Sequence, residues 1–346
     1  MSRRRLYLDR APGEDRAVVT LDGRPERFLI ERPSEPFDLA LSSQWVGRVA
    51  RIERGLASAF LDLGEGGEAL LALTGDGKAV AEGAWIEIEI TAEARRGKLA
   101  LARMLGPSTG PARRLDRAKP LIDRLKAFAP GVAVIEGAAA REVADEAESE
   151  MLAIEHALPG GGSIAIEPTR ALTAVDVDLG ARGADARRAA RQVNLLAIEH
   201  CARLLRLKGL GGLVVIDLVG AGHDGASLTA AATKAFAPDM PGVSIGPITR
   251  FGTFQIAIPR RWRPAAEILC DESGAITTVS LALRLLRAME REGRADGGAR
   301  ILGYCAQDVG EAAKILAPAL SDRIGARFDL ILEPSRRREH LEVTRR

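Results

Sequence analysis

The sequence predicts a mixed α and β chain of several units: a small OB-like barrel near the start, a strand–helix–strand block in the middle, and a smaller α/β unit at the end. Three observations carry this. Short strand-like runs punctuated by Gly47, Gly55, Gly64, Gly66 and Gly67 lie between Trp45 and Leu105. A long helical pattern from Asp185 to Lys208 is flanked by apolar strand-like runs on both sides. Helix- and strand-like stretches alternate again after Thr277.

Each element has a local reason. Leu6 to Ile30 alternates as strands do, and Asp22-Gly23 is a hairpin signal because a tight turn needs positive φ. Pro33 and Pro36 close this unit. In the barrel region, Trp85 to Ile90 alternates strictly, as a half-buried strand does, and Lys98 to Ala102 supplies another. Five such strands with glycine corners suit a small barrel. Gly106 to Arg113 is a linker by composition. A helix is expected from Pro120 to Phe128, a short strand at Val132 to Ile135, and an amphipathic helix from Ala138 to Ala157.

In the middle block, Ser163 to Glu167, Leu172 to Asp178 and Leu213 to Leu218 read as strands. The helix between them carries Val193, Ala197, Cys201 and Leu204 near helical spacing and has Gly209 as its stop. This order implies a buried parallel or mixed sheet with helices packed on it. Ile245, Ile248 and Phe254 to Ile258 add strand-like material. The last unit reads as a helix, a strand at Ile301 to Tyr304, a helix at Val309 to Leu320, and strands at Arg327 to Leu332 and His340 to Val343.

Composition bounds the function. The 346 residues are 47% hydrophobic and 28% charged, with a formal net charge of +2. That is a globular balance, and any polyanion-binding surface must come from local clustering. Arg3 to Arg5 and the C-terminal arginines read first as solvated ends. No signal-peptide core follows Arg5, and Leu210 to Gly222 is too short to span a bilayer. Cys201, Cys270 and Cys305 are widely spaced and form no CxxC, so a zinc knuckle or disulfide framework is not indicated and a reducing cytoplasm fits.

The chemistry points to aspartates. Asp176 and Asp178 are two apart on a predicted strand, so both face one side. Asp217 ends the next apolar strand, Val214 to Asp217. On neighbouring strands the three carboxylates could converge, and their mutual repulsion favours a bound cation. Oxygen ligands without nearby His or Cys suit Mg²⁺ rather than zinc. The other reading is that Asp178-Leu-Gly simply starts a turn.

The stretch from Pro159 to Gly183, running on through Gln192 to Val219, resembles the catalytic segment of bacterial ribonucleases E and G. The shared features are the glycine-led strand at Gly161–Ile164, ALTAVDV, the VNL within the helix, ARLLRLKGLGG and VVID, with Thr249 to Gly252 (TRFG) in the correct order. The resemblance implies a deoxyribonuclease-I-like catalytic domain over 159–264. It also implies an OB-fold RNA-binding domain over 42–105, inserted into an RNase H-like subdomain formed by 1–41 and 114–158, and a small C-terminal domain over 276–346. It implies an Mg²⁺-dependent endoribonuclease that cuts single-stranded RNA. Asp176 and Asp217 stand at the family's metal-binding aspartates, and Asp178 where asparagine is common. VGRVARIERGLASAFLDLG carries the barrel's resemblance. Phe60 matches an aromatic on which a base stacks, a contact of about 1–3 kcal/mol, whereas a second family aromatic is Leu70 here. Arg96 lies near an RNA-holding lysine, and Arg48, Arg182 and Arg250 complete the candidate RNA-binding set. DNA and membrane are not expected as partners.

The departures bear on function. The span before Pro120 is too short for the family's 5′-end-sensing domain. Only Cys270 stands near the place of the zinc link, so no zinc is expected, and any homodimer would form without it. After the second aspartate the family usually has another acidic residue and basic residues nearby, whereas Leu218 to Gly225 here reads LVGAGHDG, and Gln255 replaces a usual glutamate. These changes motivate an alternative, a non-catalytic RNA-binding or ribosome-assembly factor on the same fold. Among other candidates, His200 reads as structural and His223 lies nearer the aspartates. Arg187, Arg188 and Arg191 share a helical face, and Arg260 to Arg263 interleaves cations with Trp262.

Overall fold

The computed structural model describes residues 3–33, 38–74, 80–180 and 186–346. The chain opens with an antiparallel meander, β1 (Arg4–Ala11), β2 (Glu14–Leu21) and β3 (Arg24–Glu31). The turn between β2 and β3 holds Asp22 at φ 51° and Gly23 at φ 84°. Two successive positive φ values define the tight hairpin turn that Asp-Gly favours.

The next strands close on themselves. β4 (Gln44–Glu53), β5 (Ser58–Asp62), β6 (Glu68–Ala72), β7 (Trp85–Ala92) and β8 (Ala100–Pro107) form a closed five-stranded sheet. Around the barrel the order is β4, β5, β6, β8, β7 and back to β4, with β6 and β8 parallel and the other pairs antiparallel. This is consistent with an OB-like fold. Alternate residues, among them Val49, Ala59, Leu61, Leu71, Ile88 and Ile90, fill the interior. β9 (Arg113–Asp116) adds to the free side of β4, so the composition-based linker is shorter than Gly106 to Arg113.

The chain then returns to the first sheet. α1 (Leu121–Lys126) covers the face bearing Leu6, Leu8, Ala17 and Val19. β10 (Val134–Ile135) joins β1 in parallel, and α2 (Ala138–Leu152) packs on the opposite face. α2 ends before Ala157. Ala153 turns extended, at φ −64° and ψ 142°, and β11 (Glu155–Ala157) follows. The helix expected through Ala157 is thus cut short, because Glu155, His156 and Ala157 pair with β12.

The central sheet contains β11, β12 (Ser163–Pro168), β13 (Thr173–Asp178), β14 (Gly212–Asp217), β15 (Ser244–Ile245) and β16 (Thr253–Ile258). Its order is β11-β12-β13-β14-β16-β15. Between β13 and β14 runs α3 (Ala186–Lys208), with α4 (Gly225–Ala235) after β14. Val193, Ala197, Cys201 and Leu204 of α3 are fully buried. They belong to one core shared by the first sheet and the central sheet, so α3 binds two units through the spacing visible in its sequence. Burial pushes the Cys201 thiol up to about 12. The short α5 (Ala266–Leu269) leads to the last unit. There α6 (Thr278–Ala295) and α7 (Gln307–Ile324) pack on a sheet of β17 (Ile301–Cys305), β18 (Phe328–Leu332) and β19 (Glu342–Arg345), ordered β18-β17-β19.

His156 gives this scaffold a pH dependence. It is buried on β11, and among the described residues its Nε2 has no hydrogen-bond partner. Burial, reinforced by the Lys208 ammonium, pushes its pKa down to about 4 from 6.5. The folded chain therefore keeps it neutral while the unfolded chain takes up a proton, and stability falls as pH drops from about 6.5 towards 4. The Tm of the wild type should fall more steeply over that interval than the Tm of His156→Leu; parallel curves would count against this assignment.

Candidate catalytic face and candidate nucleic-acid interface

The two faces of the central sheet differ. Ile164, Ile166, Val175, Val177, Val214, Ile216, Phe254 and Ile256 point into the core. The residues between them form the open face. β13 and β14 are parallel, with Asp176 opposite Asp217 in register. Residues opposite each other on neighbouring strands project to the same side, with strands about 4.8 Å apart. Ala165 and Thr253 extend this row on either side. Both aspartates are exposed. Among the described residues, neither carboxylate has a hydrogen bond or ion pair.

The chain beyond Asp217 is pinned by α3. Asn194, within the VNL motif, is nearly fully buried. Its Nδ2 donates to the Val219 carbonyl at 3.0 Å, and its Oδ1 accepts from the Val219 N–H at 3.1 Å. The loop then passes Gly220 and Gly222 to Asp224, whose carboxylate caps α4 by accepting from the Ser227 N–H. Sequence reasoning quoted the VNL motif and missed this positioning role. The signal was an amide side chain on the otherwise apolar face of a helix.

Asp178 differs from the other two aspartates. It pairs with Ser163 on β12, and its Oδ1 accepts a 2.5 Å hydrogen bond from the Gly180 N–H. Its backbone is equally confined: a Cβ on Gly162 would lie 2.5 Å from the Asp178 carbonyl oxygen. Among the described residues no group of three His, Cys, Asp or Glu side chains is placed to hold one metal ion. The aligned unit is thus the pair Asp176 and Asp217, with Asp178 engaged in a turn. Gln255 is exposed on the same face, opposite Val215.

The turn before β16 brings further groups to this end of the sheet. Thr249 Oγ1 lies 2.7 Å from Thr253 Oγ1, and the Thr249 N–H donates to the Thr253 carbonyl. Phe251 at the turn is 75% exposed, and the Arg250 guanidinium stacks 4.6 Å from its ring centre. A single exposed apolar side chain is ordinary on a protein surface; Phe251 is distinguished by the Arg250 guanidinium stacked on it, two residues from Thr253, the register partner of Asp217. The sequence reading selected Arg250 and overlooked its neighbour, although an arginine beside an aromatic in a glycine turn was the available signal.

On the barrel, Ala59 and Leu61 point inward, which turns Phe60 outward. Phe60 is opposite Arg51 on β4 and Leu70 on β6. The Arg51 guanidinium lies 4.4 Å from the Phe60 ring centre. Leu70 is in turn opposite Leu101, which is 41% exposed. Phe60 therefore belongs to an outer row of Arg51, Phe60, Leu70 and Leu101 rather than to the barrel core. Arg48 is exposed on β4. The Arg96 guanidinium donates to the Cys270 carbonyl at 2.8 Å, tying the barrel to the segment after α5. Arg182 lies outside the described residues. Arg191 pairs with Asp224, and His200 is buried beside Arg24. Among the described residues, the buried His223 Nε2 has no hydrogen-bond partner; it lies beside Gly252.

Comparison with known proteins bears on this sheet. Residues 135–261 match the ribonuclease E/G family, a span that contains α3, all of β12 to β16, both paired aspartates and Asn194. Ribonuclease E of Haemophilus influenzae is 36% identical over 146 residues, 39% of this chain and 16% of that protein. Ribonuclease E of Escherichia coli is 36% identical over 147 residues, 39% of this chain and 14% of that protein. A chloroplastic ribonuclease E/G-like protein of Arabidopsis thaliana is 28% identical over 163 residues, 45% of this chain and 16% of that protein. The match therefore spans about a sixth of the length of these relatives. Over this segment the chain is similar to the ribonuclease E/G family.

Proposed function

We propose that this chain is an Mg²⁺-dependent endoribonuclease that cuts single-stranded RNA on the open face of its central sheet. The observation that carries the reading is the register of Asp176 against Asp217 on neighbouring parallel strands. Two adjacent carboxylates without a cationic partner repel each other, and a divalent ion relieves that repulsion. The donor set is oxygen only, which suits Mg²⁺ and argues against zinc. Asp176 and Asp217 would hold the ion. When bound, it would supply Lewis acidity towards a phosphodiester.

The chain's own residues do the rest. Asn194 fixes the loop that follows Asp217. Arg250 and Phe251 offer a cation and a stacking plane at the same end of the sheet. Phe60 with Arg51 offers a second such pair on the barrel. Base stacking of this kind accepts any sequence, as an RNA grip requires. The reading takes RNA rather than DNA as substrate, in the cytoplasm. Its three unpaired cysteines suit a reducing compartment. The deoxyribonuclease-I-like character of the sheet domain and a zinc-free homodimer belong to the same reading.

Two observations favour a second reading, an RNA-binding or ribosome-assembly factor without cleavage. The Asp178 carboxylate is engaged by Gly180, and Gln255 rather than an acid is exposed nearby. Incubation with a labelled unstructured RNA separates the two. Cleavage that requires Mg²⁺ and stops in EDTA is expected. Retarded but uncut RNA at every Mg²⁺ concentration would favour the second reading.

A further inference from the structure

Away from the carboxylate row, a cavity of about 410 Å³ lies where the barrel, β3 and the segment after β16 meet. Its volume is in the range of small-molecule sites. Six of its lining residues are Arg or Lys and three are Asp or Glu. The acids are largely engaged. Asp38 pairs with Arg114. Glu93 accepts from the backbone N–H groups of Leu41 and Arg263, which seals the barrel to the segment carrying Trp262.

Of the cations, Arg114 and Arg32 are paired with acids and Arg263 with a carbonyl, whereas two are less committed. Arg117 and Lys119 are exposed, and neither has an ion pair among the described residues. Arg124 stands 3.8 Å from Glu93, beyond hydrogen-bond distance, and among the described residues its buried Nε–H has no acceptor. The Arg124 guanidinium lies 5.4 Å from the Trp262 ring centre, and Phe128 flanks the indole at 6.1 Å. A cavity with surplus positive charge at one side and an aromatic plane at another matches a ligand with an anion and a flat ring.

We propose that this cavity is a nucleotide site. It takes the phosphate on Arg117 and Lys119 and the base against Trp262. The ligand is a phosphorylated nucleoside, either free or as one residue of an RNA strand. The site does not depend on the carboxylate pair, so it stands or falls separately from the nuclease reading.

The test uses the full chain in EDTA, where no metal-dependent cleavage occurs. AMP, adenosine and inorganic phosphate are titrated by calorimetry. AMP should bind saturably with one-to-one stoichiometry. Adenosine and phosphate should each bind at least about tenfold more weakly, since each lacks half of the contacts. Arg117→Ala/Lys119→Ala, exposed and expected to keep the wild-type Tm, should weaken AMP binding by about tenfold or more. Trp262→Leu should weaken it too. No saturable AMP binding, equal affinity for AMP and adenosine, or an unchanged affinity in the double variant would each overturn the proposal. Competition between AMP and a single-stranded oligonucleotide would identify a strand residue as the natural occupant. Its absence, with AMP still bound, would identify a free nucleotide.

Discussion

Asp217→Asn should lower the rate of RNA cleavage by a factor of about 10² or more, the scale on which loss of one preorganised charge acts at a reacting centre. The substitution keeps shape and removes charge. Asp217 is exposed and has no hydrogen-bond or ion-pair partner among the described residues, so the Tm should be unchanged or slightly raised as the repulsion from Asp176 is relieved. Asp176→Asn should behave alike, because the two residues are register partners. Asp178→Asn is the informative contrast. An asparagine oxygen can still accept from the Gly180 N–H, so a smaller loss is expected. Single-turnover cleavage by the three variants, with RNA affinity measured in parallel, checks all of this. Asp217→Asn cutting at the wild-type rate would end the nuclease reading, and a full loss in Asp178→Asn would return Asp178 to the metal set.

Much of this site was legible in the sequence because strand geometry has a period of two. Alternation placed Asp176 and Asp178 on one side of a strand, and the apolar run ending at Asp217 identified its neighbour. What alternation cannot show is which carboxylates stay free. Asp178 is taken up by Gly180, two residues on, a local bond that competes with any distant ligand. The helix from Ala138 failed at its C-terminal end for a related reason. Ala153 to Ala157 contains no strong breaker, and only pairing with β12 makes Glu155–Ala157 a strand. Phe251 and the Trp262 cavity were invisible because exposure and enclosure are properties of three-dimensional packing. Buried charge was equally hidden: nothing in the spacing of Arg16, Glu148 and Arg287 relates them.

Those three residues carry the second large effect. Arg16 on β2 is fully buried and donates to Asp9 at 2.6 Å and to Glu148 on α2 at 2.9 Å. Glu148 also accepts from Arg284 at 2.7 Å and Arg287 at 3.2 Å, both on α6. Glu14 on β2 accepts from Arg32 at 2.7 Å and Arg287 at 2.5 Å. The network thus joins the first sheet, α2 and the C-terminal unit through buried charge. Removing one member strands the others, at a cost of about 3–5 kcal/mol. Glu148→Ala should therefore lower the Tm strongly and loosen the C-terminal unit, read as early proteolysis near α6. Burial alone would raise the Glu148 pKa, but Arg287, Arg284 and Arg16 outweigh it and hold the carboxyl below its usual 4.5. A carboxylate favoured in the folded state contributes stability above its unfolded pKa, which is lost as pH falls below about 4.5 and through the folded value. Acid unfolding should then have two stages, the first from His156 below about 6.5 and the second from Glu148. Glu148→Gln should flatten the second stage and leave the first in place. A Glu148→Ala Tm equal to that of the wild type would show that the buried network contributes little to joining the units.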